Sequence, residues 1–128
     1  MAGIVLDSSV VIALFRPVDK HHAQARQAVA GIDEQVMIST ITVAEVLVRP
    51  AAISQREAIE KAGLLREYFG APIAVTREVA ELAATIRAKT GLSTPDAIIS
   101  ATATLKRATL WSCDARLAKA HRGARLIV

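Results

Sequence analysis

Cysteine is almost missing from this 128-residue chain, which carries only Cys113. A single thiol excludes a disulfide framework and any cysteine-based zinc site, and it suits a reducing compartment. Aromatic residues make up 3% of the chain, and Phe15, Tyr68, Phe69 and Trp111 are too few and too scattered for a base-stacking sheet or groove. Long apolar runs are lacking too. The longest, Val10 to Phe15, is far too short to span a bilayer, so no membrane partner is expected. The basic-then-apolar pattern of a signal peptide is interrupted by Asp7, and the expected setting is cytoplasmic.

What is present points to a folded α/β unit. The chain is 52% hydrophobic and 22% charged, which excludes disorder. Its length fits one domain over residues 1–128, since domains commonly run to roughly 100–150 residues. Sixteen Lys and Arg face 12 Asp and Glu, and the net charge of +4 leans toward a polyanionic partner.

Short β-branched runs alternate with helical patterns. Gly3 to Leu6 reads as a buried strand ended by Asp7, and Ser8 to Phe15 as a short helix stopped before Pro17. Asp19 to Ala30 follows as a helix, and Gln35 to Ser39 as a second strand. Thr42-Val-Ala-Glu45 has capping-box spacing and opens a helix expected to end near Pro50; Ser54 to Glu57 repeats the signature before a helix to Phe69. Pro72 to Val75 is a predicted third strand, and Thr76 caps a helix to about Thr90. Thr94, Pro95 and Asp96 stand in the order cap, first-turn proline, first-turn acid, and open a helix to Arg107 rich in small residues. Ala108 to Ser112 is a fourth strand, Asp114 caps a short helix, and Arg125 to Val128 is a last strand. This alternation predicts a three-layer α/β/α domain with a mainly parallel central sheet.

Four carboxylates fall where such a fold places its ligand edge, at strand C-termini and helix N-termini: Asp7, Glu45, Asp96 and Asp114. Each has a plain structural reading as well. Glu45 fits as the capping partner of Thr42, and the three aspartates as caps or complements to helix dipoles. Together, clustered carboxylates repel unless they are protonated or meet a cation, and oxygen-only donors suit Mg²⁺ or Mn²⁺. His21, His22 and His121 lack ligand spacing and read as solvent-facing. Other acidic-edge folds fail on single positions. Ser9 stands where a haloacid-dehalogenase-type phosphatase needs a second Asp, and Val11 where an adhesion-type metal site needs Ser. The paired acids and the lysine of a receiver domain are missing, as is a phosphate-binding Gly-x-x-x-x-Gly-Lys loop.

Ile4-Val-Leu-Asp7-Ser-Ser9 resembles the opening of PIN domains, especially the VapC toxins of type II toxin–antitoxin pairs. Ile38 to Glu45 is similar to their second motif, Thr94-Pro-Asp96 to Ala103 to their third, and Leu110-Trp-Ser112-Cys-Asp114 to Leu117 to their fourth. The resemblance runs over nearly the whole chain. It implies an endoribonuclease dependent on Mg²⁺ or Mn²⁺, acting as a toxin that inhibits translation. Asp7, Glu45, Asp96 and Asp114 are its implied catalytic and metal-binding residues, with Ser9 and Ser112 in support. It further implies an RNA substrate such as tRNA or rRNA, a VapB-like antitoxin, and a homodimer or toxin–antitoxin hetero-oligomer. Two other readings stay open: a catalytically silent PIN-like binding module, and a DNA or structure-specific nuclease. Arg16, Arg49 and Arg116 are expected near the acidic edge, whereas Lys20, Arg26, Arg56 and Lys61 read as ordinary solvated charges.

Overall fold

Gly3 opens the first strand at φ +82°, where an added Cβ would lie 2.8 Å from the Gln35 carbonyl oxygen. Only glycine lets the backbone pass that close. The computed structural model describes residues 3–128. Its four strands are β1 (Ile4–Leu6), β2 (Val36–Met37), β3 (Thr109–Ser112) and β4 (Arg125–Leu126). They form one sheet in the order β2-β1-β3-β4, and every pairing is parallel. The chain steps from β1 to β2 on one side and later places β3 and β4 on the other. The order therefore reverses between β1 and β3, which creates a crevice at their C-terminal ends.

Among the described residues seven helices cover both faces, as inner strands that are apolar on both sides require. Ile4, Leu6 and Trp111 face a core shared with α1 (Ser8–Phe15), α2 (His22–Ala30), α3 (Thr40–Ile53) and α4 (Gln55–Phe69). Val5 and Leu110 face a second core shared with α5 (Arg77–Thr90), α6 (Thr94–Lys106) and α7 (Ala115–Ala120). Burying Leu6, Ile99, Leu110 and Leu117 completely stabilises the fold by about 1.5–3 kcal/mol for each side chain. The small residues of α6 bury Ala97, Ala101 and Ala103, while Thr102 turns its hydroxyl to the Ile98 carbonyl oxygen at 2.8 Å. The three-layer α/β/α architecture with a parallel sheet is as predicted.

Several local expectations are corrected. The third predicted strand shrinks to a single parallel bridge between Ile73 and Ser39. Helix α3 starts at Thr40 under the cap Ser39, whose Oγ accepts the Ile41 N–H at 3.1 Å. Thr42 is then interior, fully buried, and its hydroxyl has no partner among the described residues. Pro50 does not end α3: its missing N–H removes one intrahelical bond, and the helix continues to Ile53. The cap of α6 is Ser93 rather than Thr94. Helix α2 begins only at His22, since Asp19 to His21 form a turn. The aromatic residues are less scattered than expected: Phe15, Tyr68 and Phe69 gather with ring centroids 5.4–6.4 Å apart, bracing α1 against α4.

Candidate active site

The crevice between β1 and β3 is built around Asp7. Its backbone extends the strand ladder, with the N–H donating to the Trp111 carbonyl at 3.1 Å, and its side chain caps α1 by accepting the Val10 N–H at 3.2 Å. Two serine hydroxyls also donate to the carboxylate, Ser9 to Oδ1 at 2.5 Å and Ser112 to Oδ2 at 2.7 Å. Each serine is itself fastened to the chain leaving β3. Ser9 Oγ accepts the Cys113 N–H and Ser112 Oγ the Asp114 N–H, both at 2.9 Å. Ser9 and Ser112 thus clamp Asp7 to the second inner strand.

Asp7 is only 3% exposed, and burial raises its carboxyl above the ordinary carboxylate range. The bonds from Ser9, Ser112 and Val10 pull the other way, and the charge of Asp96 adds to the rise. Asp96, half-buried in the first turn of α6, is also raised, first by desolvation and then by the charge of Asp114; Ser93 and Arg116 oppose this. Asp114 is exposed and caps α7, accepting the Arg116 N–H at 2.9 Å. Asp7, Asp96 and Asp114 therefore form an electrostatically linked run.

Glu45 stands apart from that run. Because Ser39 rather than Thr42 caps α3, Glu45 falls beyond the first turn and cannot be the capping partner. It accepts a hydrogen bond from the Ser8 hydroxyl, beside Asp7 in the chain. It also lines a groove of about 230 Å³ with Phe15, Arg16, Val46, Arg49 and Leu64. Arg116 lies at the edge as expected, held by the Gly91 carbonyl at 3.0 Å. Sequence reasoning passed over Ser8, although a hydroxyl pair directly after a strand-ending Asp was a visible signal. His21 and His22 are partly buried rather than solvent-facing.

Whether these donors suit a hard cation can be judged from their surroundings. Among the described residues, no three His, Cys, Asp or Glu side chains gather tightly enough to grip an ion as they stand. Like charges favour such spacing. The chemistry of the set does fit: all donors are oxygen, two are desolvated and raised, and no Lys or Arg forms an ion pair with any of the four acids among the described residues.

Fold and site together define a doubly covered parallel α/β protein with an oxygen-donor crevice at its switch point. The chain belongs to the PIN domain family, whose model matches residues 4–123. It is similar to FitAcB from Neisseria gonorrhoeae, at 25% identity over 96% of each chain and a TM-score of 0.76. A toxin–antitoxin complex from Klebsiella pneumoniae is comparable, at 26% identity over 98% of each chain and a TM-score of 0.78. Mycobacterium tuberculosis VapC20, a sarcin-ricin loop cleaving toxin, shares the fold at 22% identity, with 91% of this chain and 94% of that one covered and a TM-score of 0.76. No curated protein matches the chain. Among the described residues, no helix is long and apolar enough to cross a membrane.

Proposed function

We propose that this protein is a cytoplasmic endoribonuclease dependent on Mg²⁺ or Mn²⁺, and the toxin half of a toxin–antitoxin pair that inhibits translation. The observation that carries this reading is the linked run of Asp7, Asp96 and Asp114 at the switch point of a PIN fold, with Asp7 and Asp96 raised by burial and none of the three in an ion pair with Lys or Arg among the described residues. Asp7, Asp96 and Asp114 would hold the ion. Once bound, it would lower the pKa of a water molecule and neutralise charge developing on a phosphate. Ser9 and Ser112 fix the Asp7 carboxylate, and Ser8 fixes Glu45, which orients the attacking water. Setting the four acids aside leaves 16 basic against 8 acidic residues, a scaffold of +8 suited to a phosphate backbone.

A partner is part of the same reading. The similar proteins from Neisseria and Klebsiella include a toxin–antitoxin complex, and the groove beside Glu45 is lined largely by apolar side chains with Arg16 and Arg49 among them. A VapB-like antitoxin segment would occupy it, and two copies of the chain would pair in the complex. The deciding experiment incubates the purified protein with labelled tRNA, rRNA and DNA, with and without Mn²⁺ or Mg²⁺. Metal-dependent cleavage of RNA alone is expected. Cleavage of DNA would favour a DNA nuclease, and no cleavage with no metal binding would leave a silent binding module.

A further inference from the structure

Beside the acidic edge lies a pocket of about 330 Å³; it shares Ser9 and Asp114 with the catalytic reading, which leaves its α1–α2 side unused. Ser9, Cys113 and Asp114 form one wall, and Asp19, Lys20 and His21 of the α1–α2 turn form the other. That turn is fastened rather than loose. Asp19 N–H donates to the Arg16 carbonyl at 2.9 Å, His22 N–H to the Asp19 carbonyl at 3.0 Å, and His22 Nδ1 lies 2.7 Å from the Ala13 carbonyl of α1.

Within the turn, His21 N–H donates to the Asp19 carboxylate at 2.8 Å. The ring Nδ1 lies 3.9 Å from the same oxygen, and the two side chains are only 20% and 23% exposed. Asp19 thus lies on the Nδ1 side of the imidazole, and among the described residues Nε2 of this pocket-lining residue has no hydrogen-bond partner. Lys20 is exposed and, among the described residues, joins no ion pair. The other cations near the edge are placed elsewhere, Arg116 on the Gly91 carbonyl and Arg16 and Arg49 in the apolar groove.

We infer that this pocket is a nucleotide subsite, in which Lys20 and His21 receive the RNA phosphate next to the scissile one. A strand laid across Asp7, Asp96 and Asp114 meets like charge there, and an unpaired ammonium one pocket away offsets that repulsion. The inference rests on the ribonuclease reading. Lys20 and His21 act as positioning residues, touching the strand away from the bond that breaks.

The test compares wild type, Lys20→Ala, His21→Ala and the equal-charge control Lys89→Ala in Mn²⁺-supported RNA cleavage. Binding of a labelled single-stranded RNA to a non-cleaving Asp7→Asn background is followed in parallel over a salt series. Lys20→Ala should raise KM about tenfold with kcat nearly unchanged, as for loss of one charge-assisted contact. Its log–log salt slope should fall by about 0.7, the release expected for one single-strand phosphate. His21→Ala should raise KM with the same unchanged kcat, and Lys89→Ala should match wild type. If wild type cleaves RNA but Lys20→Ala behaves like Lys89→Ala in KM and slope, the subsite is wrong and the nuclease reading survives. A fall in kcat at constant KM also overturns it. If wild type neither cleaves nor binds RNA, both fall together.

Discussion

Asp7 and Asp114 hold equivalent positions in the chain, each following an inner parallel strand and capping the next helix, yet they end in opposite surroundings. Asp7 is buried and receives two hydroxyls and a backbone N–H, whereas Asp114 is exposed and, among the described residues, its carboxylate accepts only the Arg116 N–H. The strands before them do not explain this, since both are central. The helices after them do. Helix α1 buries Val10, Val11 and Ala13 and draws its cap into the core, while the six-residue α7 buries only Leu117. The apolar content of the following helix sets how far a strand-ending acid is desolvated, and so how strongly it calls for a cation.

The largest effect should separate the two acids directly. Asp7→Asn should lower metal-dependent RNA cleavage by at least about 100-fold, beyond the loss typical of outer-shell partners. The metal-free variant should nonetheless melt no lower than wild type, because a buried charge is removed. Asp114→Asn should also cut cleavage but leave the melting temperature of metal-free protein nearly unchanged. Parallel melting and cleavage assays check both, and equal melting shifts would break the contrast. Next in size, Ser112→Ala removes one clamp from Asp7 and should reduce cleavage or metal affinity by about 10–100-fold.

The pH dependence follows from the sign of the shifts. Asp7 and Asp96 hold protons more tightly folded than unfolded, so between the ordinary value of 3.8 and their folded values the native state carries more protons. Stability from these groups is therefore greatest at acid pH and declines as pH rises through the folded values. Melting curves of wild type and Asp7→Asn should converge in acid and diverge toward neutrality, with the variant ahead. Saturating Mn²⁺ should close that gap for wild type. His121, lowered by burial, works in the opposite direction: its contribution is complete above its ordinary 6.5 and is lost as pH falls below it.

The smallest effect concerns α3, which carries Glu45. Thr42→Val removes a buried hydroxyl that has no partner and should stabilise the protein by about 1 kcal/mol, measured by denaturant unfolding, with cleavage unchanged.

Signals confined to a few residues were readable from sequence. Caps at Asp7, Ser54, Thr76 and Asp114, the helix stop before Pro17 and the parallel α/β alternation all depend on near neighbours. The start of α3 was not, because Ser39, Thr40 and Thr42 offer three hydroxyls within one turn and only tertiary packing selects Ser39. The clamp on Asp7 joins residues 105 apart, and the Ser8–Glu45 bond spans 37, separations to which no local pattern speaks. Lys20 and His21 looked like ordinary surface groups for the same reason, since their pocket exists only once α1 folds back beside β3.

The most direct measurement is calorimetric titration of Mn²⁺ into the wild-type protein and into Asp7→Asn. A cation site centred on the buried Asp7 predicts saturable binding to wild type and its loss in the variant, with the variant still folded. Equal binding to both proteins, or none to wild type, would contradict it.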